Sequence, residues 1–152
     1  MKGKFLFFLS FILIFNISMC SASKVFNSDK AAIGGISTGS STDYIKSIYG
    51  EPNKIKISEN NSNAETWYYG DSFQIDFVDG IVSSVISSGA NGLSTPDGIT
   101  VGMKKSKMTS KYGSPKQIDK YGKRAIYTYK TNDGIEMTFI IISGIISEIR
   151  IK

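Results

Sequence analysis

Asp76 and Asp79 stand three residues apart. A carboxylate pair of this kind does general acid–base work when its two groups hold different protonation states. Local sequence accounts for each of them in another way. Asp79 precedes Gly80 in a two-residue hairpin signal, and Asp76 alternates with Ile75 and Phe77 at a solvent-facing strand position. The chain has no histidine, and its one cysteine, Cys20, lies near the N-terminus. Ser–His and Cys–His nucleophile pairs, histidine bases and ordinary zinc sites are therefore excluded. No nucleophile with a base beside it can be named, so the expectation is a protein that is not an enzyme, with no cofactor and no metal.

Gly34-Gly35-Ile36-Ser37-Thr38-Gly39-Ser40-Ser41 opens a predicted helix and has the glycines of a phosphate cradle, but not the lysine or the spacing of a P-loop. Gly35 and Gly39 have counterparts 63 residues on, in Gly98 and Gly102, which points to structure rather than to a site present once.

Two surfaces remain. Lys104, Lys107 and Lys111 fall along one side of a predicted helix, opposite Met108 and Tyr112, with Lys105 nearby. Such a face suits anionic lipid headgroups or wall polymers, and is more often simply the solvated side of an amphipathic helix. No aromatic interleaves these lysines, so nucleic acid is not expected. The second surface is aromatic. Trp67, Tyr69, Tyr127 and Tyr129 share one strand parity, and Tyr68, Val78, Ile126, Ile140 and Ile142 share the other. Whichever set faces away from the helices forms a patch of the residue types that anchor protein interfaces. The candidate partner-binding set is Trp67, Tyr68, Tyr69, Tyr127 and Tyr129; the competing reading puts the Trp67 set in the core with Phe73, Phe77 and Phe139.

The elements that position these residues recur. Ile36-x-x-Gly39 followed by Tyr49-Gly50-Glu51-Pro52 returns as Ile99-x-x-Gly102 followed by Tyr112-Gly113-Ser114-Pro115, again 63 residues on. An internal period of this length marks a supersecondary unit built twice. In the first copy, Ser40 caps a helix whose stripe is Ile45, Ile48 and Tyr49; Gly50 ends it and Pro52 forbids its resumption. Strands follow around Ile55, from Glu65 to Tyr69, through Phe73, Ile75 and Phe77, and from Ile81 to Ser87. The second copy keeps the order, with a helix from Lys104 to Tyr112, a Ser143-Gly144 hairpin, and Ile145, Ile149 and Ile151 facing the core opposite Glu148, Arg150 and Lys152. The fold expected is α+β: two tandem repeats, each a short helix followed by a four-stranded antiparallel sheet, the sheets merged with the helices on one face. The divisions are a signal peptide at 1–22, a flexible segment at 23–33, repeat 1 at 34–90 and repeat 2 at 91–152, the repeats forming one cooperative domain.

A helix closing on Tyr-Gly-x-Pro, then strands with an aromatic-rich middle and an Asp-Gly or Ser-Gly hairpin, duplicated in tandem, resembles the β-lactamase inhibitor protein-like fold, whose superfamily includes the SmpA/OmlA envelope lipoproteins. The resemblance covers nearly all of residues 34–152 and implies helices over one sheet face with the other concave and open to a partner. Two features depart from it: Met103 stands where such repeats often carry a helix-capping residue, and this chain has no disulfide to match those that brace the inhibitors.

Lys2 and Lys4, the apolar run Phe5 to Phe15 broken by Ser10, and small residues near Cys20-Ser21-Ala22 read as an export signal. Cleavage after Ala22 releases the chain, to the exterior or the periplasm. Ile17-Ser18-Met19-Cys20 also resembles a lipobox, which makes Cys20 the lipidation candidate. Residues 23–90 carry net −3 and residues 91–152 net +6, an asymmetry that places a basic face on the second half. The function expected is an exported, non-catalytic protein-binding module of the bacterial envelope or exterior, an inhibitor or assembly accessory whose partner is another envelope or secreted protein. The alternative is a surface-associated protein that holds anionic membrane or wall polymer through Lys104, Lys105, Lys107 and Lys111.

Overall fold

The computed structural model describes residues 26–152; the expected signal peptide and Cys20 lie outside the described residues. After a single 3-10 turn at Ser28–Lys30 come α1 (Thr42–Tyr49), β1 (Lys54–Ile57), β2 (Ala64–Tyr69), β3 (Phe73–Val78), β4 (Ile81–Ser87), α2 (Lys105–Tyr112), β5 (Gln117–Tyr121), β6 (Arg124–Lys130), β7 (Glu136–Ile142) and β8 (Ile145–Ile151).

The eight strands form one antiparallel sheet in the order β1-β2-β3-β4-β8-β7-β6-β5. This corrects the expected architecture of two tandem helix-plus-four-strand repeats: the described residues form a single sheet with two short helices. The decisive contact is β4 against β8, where Val85, Ile86 and Ser87 pair with Ile151, Arg150 and Ile149. A four-stranded sheet ending at β4 would leave a bare, mostly apolar edge, and β8 satisfies that edge's backbone groups instead.

Period-2 alternation sends one parity of every inner strand to the helix side. Trp67, Phe73, Ile75, Phe77, Val85, Tyr127, Tyr129, Met137, Phe139, Ile149 and Ile151 are buried there with Ile45 of α1 and Met108 and Tyr112 of α2. Turn chemistry holds the register. Asp79-Gly80 and Ser143-Gly144 have positive φ at both positions (52° and 73°, 51° and 83°), the conformation a two-residue hairpin needs to match strand twist. Each of these hairpins also carries a bulge. Asp76 faces Ser84 while Phe77 faces Val82, and Ile140 faces Glu148 while Ile141 faces Ile146. The extra residues, Ser83 and Ser147, donate their hydroxyls to the carbonyls of Asp76 and Ile140 at 3.1 and 3.0 Å.

The second bulge overturns one expectation. Ile145, predicted to face the core, is 39% exposed, and Ile146 takes its place at 1%, because the inserted residue shifts the alternation by one. Two details of α1 also differ. Its cap is Ser41, whose Oγ accepts from the Tyr44 N–H at 3.2 Å, and Ile48 is 45% exposed rather than part of the buried stripe. α2 starts one residue later than expected, at Lys105.

Candidate binding face

The helices are fastened to the sheet by tyrosines. Tyr69 donates its hydroxyl to the Gly50 carbonyl just past α1, and Tyr129 donates to the Gly113 carbonyl just past α2, both at 3.0 Å. Each bond satisfies a carbonyl that a helix terminus leaves without an intrahelical partner. Rings complete the joint: Tyr49 of α1 meets Phe73 at 5.3 Å, and Tyr112 of α2 meets Phe139 and Tyr129 at 5.5 Å each. Tyr112 donates to the Thr95 hydroxyl at 2.7 Å in a buried position. Desolvation pushes both the Tyr112 and Tyr129 phenols up to about 12.

This arrangement divides the aromatic residues picked out from the sequence. Trp67, Tyr127 and Tyr129 are 3%, 6% and 1% exposed and belong to the core, which corrects their assignment to a partner surface. Tyr69 is half-buried on the same side. Lys46 and Lys105 close over the rims of Trp67 and Tyr127, their Nζ atoms 5.3 and 5.8 Å from the ring centroids. The physical reason is parity: these four share the helix-facing side, and only Tyr68 stands on the other.

Among the described residues nothing covers the opposite face, since α1, α2 and the buried loop residues Ile33, Ile36 and Ile99 all pack with the core residues. With strands spaced about 4.8 Å apart, the seven gaps make it about 34 Å wide. One register row crosses it: Lys54, Tyr68, Gln74, Ile86, Arg150, Thr138, Thr128 and Gln117. The adjacent row on the second half runs Glu148, Ile140, Ile126 and Asp119. Tyr68, Ile86, Ile126 and Ile140 are half-buried and give the face an apolar middle.

The polar groups around that middle are held in place. Asp76 Oδ1 accepts from Thr66 Oγ1 and from Gln74 Nε2, each at 2.8 Å. Arg150 Nη2 donates to Glu148 Oε1 at 2.7 Å. Glu136 accepts from Lys130 at 3.0 Å and pairs with Lys152 at 3.4 Å, and the Lys130 hydrogen bond foremost holds its carboxyl below the usual carboxylate range. Asp76 also borders a shallow hollow of about 460 Å³ reached by Lys56, Asn60 and Tyr68. Asp79, its neighbour in sequence, stays in the β3–β4 turn. The sequence reading missed Thr66, Gln74, Arg150 and Glu148; the signal that could have found them is their common parity with Tyr68 and Ile140.

The lysines of α2 are placed as expected on an exposed flank: Lys104, Lys105, Lys107 and Lys111 are all exposed. That placement is unfavourable for the helix, whose start lacks a capping residue, as the sequence suggested. Lys104 is the N-cap with no side-chain cap bond, and no acid lies in the first turn, so Lys104, Lys105 and Lys107 crowd the positive end of the helix dipole. Lys104→Asp is expected to raise stability by about 1 kcal/mol, read as a shift in the urea midpoint at constant slope. An unchanged or lower midpoint would show that α2 does not start at this residue.

No family model matches the chain, and no curated protein matches it. Two solved structures are similar. One is a DUF4309 family protein from Bacillus subtilis, at 14% identity over 78% of this chain and 82% of that one, with a TM-score of 0.48. The other is an extracellular protein containing an SCP domain from Bacillus anthracis, at 16% identity over 75% of this chain and 43% of that one, with a TM-score of 0.49. Neither description names the β-lactamase inhibitor protein-like or SmpA/OmlA families. Among the described residues, no helix is long and apolar enough to cross a membrane.

Proposed function

We propose that this is an exported, non-catalytic protein-binding module that engages its partner through the open sheet face. Export rests on Lys2, Lys4 and the apolar run Phe5 to Phe15, with release after Ala22 in preference to a lipid anchor at Cys20. The observation that carries the binding reading is the uncovered face itself: an apolar middle of Tyr68, Ile86, Ile126 and Ile140, ringed by polar groups fixed in hydrogen bonds and ion pairs. That is the anatomy of a protein interface, with an apolar core, a polar rim and anchors of the Tyr and Arg types. Polar groups held before contact lose little freedom on binding.

A second reading is favoured by α2. Three lysines at a helix start cost stability in the fold, and a local rule broken without a structural gain is where function is sought. In this reading, Lys104, Lys105 and Lys107 hold anionic polymer or lipid.

Capture of envelope and secreted proteins on the immobilised chain separates the two. The variant Tyr68→Thr, Ile126→Thr, Ile140→Thr keeps strand-forming residues while removing the apolar middle. A discrete protein retained at about 1 M salt, where charges are screened beyond about 3 Å, and lost in the threonine variant, is the expected result. Capture of only salt-labile anionic material, unchanged in that variant and lost in Lys104→Glu, Lys105→Glu, Lys107→Glu, would sink the open-face reading in favour of α2.

A further inference from the structure

The sheet is open at both ends. β1 and β5 each pair on one side only, so among the described residues no strand covers the outer edge of either. The two most exposed large apolar side chains among the described residues lie on these edges, Tyr121 at 62% on β5 and Ile57 at 61% on β1, and Ile55 at 48% and Ile118 at 43% are exposed beside them. An unpaired edge strand is a template for another chain, and lysine on the edge is the usual device that blocks it. β1 reads Lys-Ile-Lys-Ile, so the device is present there.

The lysines, however, block only one kind of partner. Antiparallel edges of two copies meet with their faces aligned, so residues of like parity stand opposite each other. β1 against β1 then sets lysine on lysine in every register, since Lys54 and Lys56 are the residues of one parity. β5 against β5 sets Asp119 on Asp119, Lys120 on Lys120 or Lys116 on Lys120. Like charges directly opposite are destabilising, so both symmetric pairings are opposed.

The unlike pairing is complementary. Directions alternate across the eight strands, so β1 and β5 run opposite ways, and a second copy laid beside the first brings them together antiparallel with faces matched. In one register Ile57 faces Ile118, Lys56 faces Asp119, Ile55 faces Lys120 and Lys54 faces Tyr121. That is an apolar pair and an ion pair, with two lysines set against an isoleucine and a tyrosine. Lys54 already lies over an aromatic ring, that of Tyr68 at 5.8 Å, and Tyr121 offers a second. A separate observation agrees: the contact sets the half carrying net −3 against the half carrying net +6.

We propose that the occupant of these edges is a second copy of this chain, joined β1 to β5 so that the sheet continues from molecule to molecule. Such a contact is heterologous and does not close at a dimer, so it builds a chain or a ring.

The test follows the mass of the exported protein, produced from the full chain, by light scattering over a concentration series at low salt. The expected result is mass that grows past the dimer. Lys56→Asp puts a carboxylate opposite Asp119 and is expected to raise the concentration for half-assembly at least about ten-fold, with the circular dichroism spectrum unchanged. The swap Lys56→Asp, Asp119→Lys restores the ion pair with its direction reversed and should restore growth. A mass that stays monomeric at every concentration, stops at the dimer, or ignores both variants would overturn the proposal.

Discussion

Trp67→Ala is expected to remove about 3–5 kcal/mol of stability, a large part of the about 5–15 kcal/mol that a domain possesses. The ring is 3% exposed and packs on Phe77 at a centroid distance of 4.6 Å, so truncation opens a cavity under α1. On a chain of this size the loss amounts to a fall in Tm of about 10–20 °C. Trp67→Phe separates ring packing from the indole N–H. Nε1 is buried with no hydrogen-bond partner among the described residues, so phenylalanine keeps a ring against Phe77 and removes a donor that costs free energy unmade. We expect this change to cost no more than about 1.5 kcal/mol. Urea unfolding followed by circular dichroism reads both variants. Full stability in Trp67→Ala would return the ring to the surface and with it the aromatic helix-side patch.

Alkaline pH is expected to unfold the protein through Tyr112 and Tyr129. Both phenols are pushed up to about 12 from an ordinary 10.0, chiefly by burial. Below pH 10 each is protonated in the folded and unfolded chain alike, and stability does not respond. Between pH 10 and pH 12 the unfolded chain releases these protons while the folded chain keeps them. Stability therefore falls as pH rises, by about 1.4 kcal/mol per unit for each group. By pH 12 the two together remove about 5 kcal/mol. Tyr49 and Tyr69 are also raised by burial and act in the same direction. In Tyr112→Phe, Tyr129→Phe the alkaline limb of the urea midpoint against pH should flatten, from a neutral-pH baseline lowered by two lost hydrogen bonds. An identical slope in wild type and variant would mean that these hydroxyls reach solvent in the fold.

The same tyrosines show why the binding surface was only half legible. Alternation alone placed Trp67, Tyr69, Tyr127 and Tyr129 on one face and Tyr68, Ile126 and Ile140 on the other, and the register keeps both sets together. Which face the helices cover is another matter, because both sets are apolar enough to be core. The hydrogen bonds of Tyr69 and Tyr129 to Gly50 and Gly113 tie each helix end to its side of the sheet, and each joins residues 16 to 19 positions apart in the chain. Ile145 fails for a related reason. A bulge at Ser147 obeys no local pattern, yet it offsets the parity of Ile145 and Ile146 before it from that of Ile149 and Ile151 after it.

Local chemistry by itself determined the elements. Gly50 and Gly113 end the helices, Asp79-Gly80 and Ser143-Gly144 make the turns, and strict alternation makes strands, each through interactions reaching only a few residues. The absence of histidine, and of any cysteine beyond Cys20, likewise narrowed the chemistry from composition alone. The tertiary structure decided the rest. That β4 meets β8, which makes one continuous sheet of all eight strands in place of two helix-plus-four-strand repeats, depends on residues more than sixty positions apart satisfying each other's backbone. From that pairing follow, among the described residues, an uncovered face and unpaired edges at β1 and β5, because a strand's neighbours are settled by which backbone groups remain unpaired after the chain has packed, and no short stretch of sequence records that.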